Sequence, residues 1–191
     1  MPGPQRQSAV LVAELSGTAW NQRPAGAGHD APAFVTAMAG TVATLKGRVV
    51  RSGPADLVAV FPLADSGFSA ATRMLNTALR EGFEVRAGLH FAASDGSKAA
   101  VATDQQTAVA ARICRMAGPG ELLLTAATLP YLCGHFRDQC VRIGAGAAGR
   151  GETTGELYAC KKQAGDETVL GEEHPLEAPA GGERGVLLSR G

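Results

Sequence analysis

The chain predicts an α+β domain built on a mostly antiparallel sheet with helices packed on one face. Two observations carry this. Strand-like and helix-like stretches mix without the strict strand–helix–strand alternation of a parallel sheet, and hairpins are frequent. A chain of 191 residues, 45% hydrophobic and 19% charged, is also large enough for one domain with a real core.

The elements follow in order. Ser8 to Leu15, "SAVLVAEL", is a short apolar run rich in Val and Leu and reads as a buried strand. The Gly- and Pro-rich stretch "SGTAWNQRPAGAGHDAP" reads as a loop. Asp30 then caps a helix with Pro32 in its first turn. Phe34, Val35, Met38, Val42 and Leu45 fall at helical spacing and form its apolar face, and Gly47 ends it. "RVVRS" and "DLVAVFPL", separated by "GPA", form a hairpin. Ser66 is the expected cap of the next helix, Phe68, Ala71, Leu75, Ala78 and Leu79 its buried stripe, and Gly82 its end.

"FEVRAGLHFA" alternates outward Glu84 and Arg86 with inward Val85 and Ala87, a strand pattern, and "SDGSK" is a turn. Thr103 to Met116 reads as a helix packed through Thr107, Ala110, Ala111 and Cys114. "ELLLT" is a short buried strand, and "AATLPYLC" a short helix interrupted at Pro130. "FRDQCVRIG" and "GELYACKK" form a last strand pair. The domain therefore spans residues 8–161. Residues 162–191 are rich in acids, Gly and Pro without periodicity, and read as a disordered tail.

Charge and composition exclude some functions. Lys+Arg and Asp+Glu are both 18, so the basic excess that a general nucleic-acid binder needs is missing. Aromatics are 5%, too few for base-stacking platforms. No apolar run is long enough to span a membrane, and the N-terminus has no signal-peptide pattern. The four cysteines, Cys114, Cys133, Cys140 and Cys160, form no CxxC pair, which speaks against a zinc site. They read as buried free thiols of a cytoplasmic protein. "GAGAAG" from Gly144 to Gly149 matches the GxGxxG dinucleotide pattern, but it opens no predicted helix and reads as a hairpin loop. His90 reads as a structural histidine, and His29, His135 and His174 show no metal-ligand spacing.

Four stretches in order resemble the catalytic domain of class III nucleotide (adenylate and guanylate) cyclases. "AVLVAELSG" resembles the family's first strand, where an apolar run leads to an acid. "GRVVRSGPADLVAVF" resembles its central hairpin, usually a strand, Lys, two residues, Gly-Asp-Gly and a strand ending in Phe. "VRAGLHFA" resembles its Arg-x-Gly-Ile-His strand. "QTAVAARICRMAGPGELLLT" resembles its Asn-x-Ala-Ala-Arg helix followed by Ala-x-Pro-Gly-Glu and a strand. The resemblance implies a ferredoxin-like cyclase homology domain, pairing head to tail as a homodimer or as a heterodimer with another cyclase-like domain. It also implies a nucleoside triphosphate substrate at the interface and two divalent cations, Mg or Mn. The chemistry would be attack of a ribose 3′-oxygen on the α-phosphate, releasing pyrophosphate, with the metals activating the nucleophile and holding the phosphates.

Transferred residue by residue, the family pattern is incomplete here. The first metal aspartate corresponds to Glu14, one methylene longer than a site with strict octahedral geometry favours; the other reading of Glu14 is an acid at a strand end. The second corresponds to Ala55, which cannot bind metal, and the glycine before it to Pro54. Asp56, one residue on, is the remaining candidate ligand, although one residue of shift in a strand turns the side chain to the other face. The ribose-positioning asparagine corresponds to Ala108. The phosphate-stabilising arginine is present as Arg112, either a catalytic cation or a residue of the helix surface or a dimer salt bridge. The base-selecting lysine corresponds to Arg51 and its partner acid to Val101.

Three outcomes fit that pattern. The domain is a catalytically inactive regulatory or dimerisation module in nucleotide signalling, it is an active cyclase with Glu14 and Asp56 as atypical metal ligands, or it donates Arg112 to a competent heterodimeric partner.

Overall fold

The computed structural model describes residues 6–16, 30–94, 99–145 and 155–160. Seven strands form one sheet in the order β2-β3-β1-β4-β5-β7-β6. These are β1 (Arg6–Leu15), β2 (Arg48–Ser52), β3 (Asp56–Phe61), β4 (Val85–Ser94), β5 (Leu122–Thr125), β6 (Cys140–Ala145) and β7 (Glu156–Cys160). The helices are α1 (Ala31–Thr44), α2 (Ala64–Glu81), α3 (Ala99–Met116) and the short α4 (Gly134–Arg137), with a 3₁₀ turn over Ala126–Tyr131 that contains Pro130. All strand pairs are antiparallel except β4–β5. That pair is joined through α3, the crossover that a parallel neighbour requires.

β1 runs between β3 and β4 and is apolar on both faces. Its alternate residues enter different cores. Ala9, Leu11, Ala13 and Leu15 join the main core with Phe34, Val35 and Met38 of α1 and Phe68, Ala71 and Met74 of α2. Val10 and Val12 pack on the other face, with Val58 of β3 and with Ala110 and Cys114 of α3. Ile113 and Ala117 continue that second layer over Leu123 and Leu157. The mostly antiparallel α+β architecture is as expected. The helix placement refines it, since α1 and α2 cover one face while α3 covers the other. The reason lies in Val10 and Val12 of β1 and Val58 of β3, which are apolar on the side where a one-sided sheet would be polar, and in Gly88 of β4, which lets α3 approach.

Local details follow from the caps. Asp30 caps α1, its Oδ1 accepting from Ala33 N at 2.8 Å, and Pro32 sits in the first turn, where its missing N–H costs nothing. At the far end the left-handed residue is Lys46 (φ 60), not Gly47. Gly47 is required for another reason: a Cβ there would run into the Phe61 ring and lie 2.8 Å from Val42. Ser66 is inside α2, not its cap, and the helix starts without a side-chain cap after Leu63. Met74, rather than Leu79, completes the buried stripe, and Leu79 is exposed. Gly82 ends α2 in the left-handed region (φ 69), as expected.

α3 begins at Ala99, earlier than the expected Thr103. The "FRD" of the expected sixth strand belongs to α4 and the turn after it, where Phe136 stacks on Phe68 with ring centroids 4.7 Å apart. The expected "SDGSK" turn after Ser94, most of "GAGAAG", the loop after Ser16 and the tail over 162–191 lie outside the described residues. Among the described residues no helix is long and apolar enough to cross a membrane.

Candidate functional site

Direct cross-strand partners share a sheet face, so the register places the candidate residues. Glu14 stands opposite Asp56 across β1–β3 and opposite Arg86 across β1–β4. Val12, two residues before Glu14, packs under α3, so Glu14, Asp56 and Arg86 are all on the α3 face. In β2 the pairing slips between Val49 and Arg51, and this bulge sets Arg51 opposite Val58. Arg51 therefore also joins the α3 face. The result is a row across four adjacent strands: Arg51, Asp56, Glu14, Arg86.

The row consists of two ion pairs. Arg51 Nη2 lies 3.1 Å from Asp56 Oδ2. Arg86 donates to Glu14 Oε2 through Nη2 at 2.8 Å and through Nε at 3.1 Å. The two pairs differ in exposure. Arg51 is 62% exposed and Asp56 29%, whereas Arg86 and Glu14 are 30% and 23% exposed. Arg86 also reaches Arg115 O at 3.5 Å. It thus sets a cation at the carbonyl end of α3, where the helix dipole favours one.

Local geometry explains each position. The hairpin closes through Gly53 N donating to Asp56 O at 2.8 Å, and the Asp56 carboxylate folds back over Gly53, where a Cβ would collide with it. Ala55 turns towards the main core on the opposite face, and its carbonyl accepts from Leu15 N at 2.8 Å. Asp56, rather than the residue aligned with the metal aspartate, is thus the acid that meets Glu14. Ala108 is exposed on α3, and Arg112 lies one turn further along the same helix, partly exposed. Val101 belongs to the start of α3, but its side chain lies outside the described residues.

Arg86 is the residue that sequence reasoning passed over as merely outward-facing. The signal was available: it is the arginine of the "VRAGLHF" stretch, two residues before Gly88, the glycine that seats α3. A Cβ on Gly88 would come within 2.5 Å of Cys114 N, 2.8 Å of Ile113 Cγ1 and closer still to Ala110 O. The helix backbone therefore rests directly on β4.

At the other end of this face, His90 Nδ1 shares a 2.8 Å hydrogen bond with Thr125 Oγ1, which in turn meets Thr128 Oγ1 at 3.1 Å. Thr128 also accepts from Phe91 N at 3.1 Å. Burial lowers the His90 pKa from its ordinary value, which suits a structural neutral imidazole.

A two-metal site does not fit the described residues as they are arranged. Each acid of the row is bonded to a guanidinium, and among the described residues no three His, Cys, Asp or Glu side chains converge to hold an ion. A divalent cation bound there would have to share each carboxylate with the guanidinium already bonded to it.

No family model matches the sequence, and no curated protein matches it. Solved structures do match. The adenylyl cyclase CyaB from P. aeruginosa superposes with a TM-score of 0.64 at 15% identity, over 82% of this chain and 94% of that one. The catalytic core of a rhodopsin-guanylyl cyclase with converted specificity, in complex with ATPαS, gives 0.63 at 12% identity, over 82% and 96%. The guanylate cyclase domain of RhGC from Catenaria anguillulae, in complex with GTP, gives 0.61 at 12%, over 82% and 96%. The long register of β1 against β3 and β4, with α3 seated on Gly88, is thus set in a chain that has the fold of the adenylyl and guanylyl cyclase catalytic domains.

Proposed function

We propose that this domain is a catalytically inactive cyclase-fold module that acts in nucleotide signalling through regulation or dimerisation. One observation carries the reading: both candidate metal acids are neutralised by arginines on neighbouring strands, Asp56 by Arg51 and Glu14 by Arg86. Alanines at positions 55 and 108, where the family's second metal aspartate and its asparagine would stand, point the same way. Removing one preorganised electrostatic partner, such as an oxyanion-hole donor, costs about 10²–10³-fold in rate, and this chain departs from the family pattern at several charged or polar positions together.

A second reading has one observation in its favour. Asp56 and Glu14 stand opposite each other on one face, so an active site with atypical ligands would have its two acids adjacent. The test is direct. The purified chain is incubated with ATP, GTP, CTP or UTP and Mg²⁺ or Mn²⁺, and cyclic nucleotide is sought by mass spectrometry. The expected result is no product above a Glu14→Ala control. Product that disappears in that control would overturn the inactive reading and establish Glu14 as part of a working site.

A further inference from the structure

The far edge of the sheet carries a feature unrelated to the charged row. β6 and β7 pair antiparallel, and Cys140 and Cys160 are direct partners at the open end of that hairpin. Directly opposed residues of an antiparallel pair have Cα atoms about 4.5 or 5.5 Å apart, depending on the hydrogen-bonding class. Both values lie inside the range of about 4.4–6.8 Å that a disulfide spans. Direct partners also project from the same face, and both cysteines pack against the edge of the main core. They are half-buried, and Cys140 Sγ donates a weak bond to Phe136 O at 3.3 Å.

We propose that Cys140 and Cys160 are a thiol pair that closes to an intramolecular disulfide, fastening the open end of the β6–β7 hairpin. The other cysteines are placed differently. Cys133 is exposed outside the sheet, and Cys114 belongs to α3 and is buried against the opposite face. With hydrogen peroxide as the oxidant, one thiolate attacks a peroxide oxygen and becomes a sulfenic acid as the first water leaves. The second sulfur then displaces the sulfenic oxygen as another water, and the S–S bond forms. Two electrons and two protons pass from the thiols to the peroxide. Burial raises both thiols, Cys140 to about 11, so the pair stays reduced unless an oxidant is supplied and reacts slowly at neutral pH.

The closed loop would span 21 residues, from 140 to 160. In the chain-entropy account a ring of this size shifts the unfolding equilibrium on the order of 100-fold towards the folded state.

The test treats the full chain with hydrogen peroxide under native conditions and maps the products by peptide mass spectrometry. The expected product has lost two hydrogen atoms and yields a linked peptide pair carrying Cys140 and Cys160. It unfolds at a higher denaturant concentration than the reduced form, and dithiothreitol reverses both changes. Cys133→Ser retains the link, and Cys160→Ser abolishes it. Sulfenic or sulfinic products without a bridge would overturn the proposal. So would a bridge through Cys133 or between two chains, or a bridge that leaves the unfolding midpoint unchanged.

Discussion

Two regions of the same sheet face obey different rules. Beneath the middle of α3, Gly88 leaves no space for a Cβ between β4 and the helix backbone, and Ala110, Ile113 and Cys114 close around it. A short distance along the same strands, Arg51, Asp56, Glu14 and Arg86 form a row of half-exposed charges. The first region holds the helix through backbone contact and resembles its counterpart in the cyclase motifs. The second departs from the family pattern at Ala55 and replaces it with arginine-neutralised acids. A steric seat is enforced from several sides at once, because any added atom must displace a helix. A charged site depends on single side chains, and each can change while the strands beneath stay paired. Strand pairing and the helix seat can therefore persist where the charges on the same face differ.

The sharpest break of that contrast is Gly88→Val. The new side chain must enter the space held by Ala110 O, Cys114 N and Ile113 Cγ1, and overpacking of this kind costs about 3 kcal/mol. The thermal midpoint should fall by roughly 10 °C for a domain of this size. An unchanged midpoint would mean that α3 does not rest on β4, and the distinction between the two regions would collapse.

Glu14→Ala tests the row itself. It strands the Arg86 guanidinium, which is 30% exposed and still faces the carbonyl end of α3. A fully buried orphaned charge costs about 3–5 kcal/mol. Solvent access here reduces the expected loss to about 2 kcal/mol, midway between that figure and the surface value. The double-mutant cycle with Arg86→Ala should recover about 1 kcal/mol of coupling, measured by urea denaturation. Coupling near zero would show that the contact of Arg86 Nε and Nη2 with Glu14 Oε2 contributes no stability, and Glu14 would then be available to other partners.

Much of this architecture was legible in the sequence because it is written in periodicity and caps. The β1 run, the Asp30 cap, the Gly82 stop and the hairpin around Gly53 follow from local chemistry. What was not legible depends on long-range register. The side of the sheet taken by α3 rests on Gly88, whose role appears only when the helix is set against it. Lys46 takes the left-handed conformation, while Gly47 sits where a Cβ would meet the Phe61 ring. Within the site, Glu14 and Asp56 were identifiable as acids, but their arginine partners were not paired with them. Arg86 is 72 residues from Glu14 in sequence, and Arg51 reaches the face only through the bulge after Val49.

The smallest effect belongs to the outer pair. Arg51 is 62% exposed, so its contact with Asp56 is screened by water and ions, and Arg51→Ala should cost about 0.5 kcal/mol or less. That loss should shrink further at roughly 1 M salt, where the screening length falls to about 3 Å, while the Glu14–Arg86 coupling should persist because both groups are largely covered. The measurement is a pair of urea titrations at low and high salt on wild type, Arg51→Ala and Asp56→Ala. If Arg51→Ala instead costs as much as Glu14→Ala, the four charges act as one network, since neighbouring acids opposite each other across β1–β3 need a cation on each side to coexist. The row would then be a single electrostatic unit, and its two ends would have to be altered together to restore a carboxylate pair for metal.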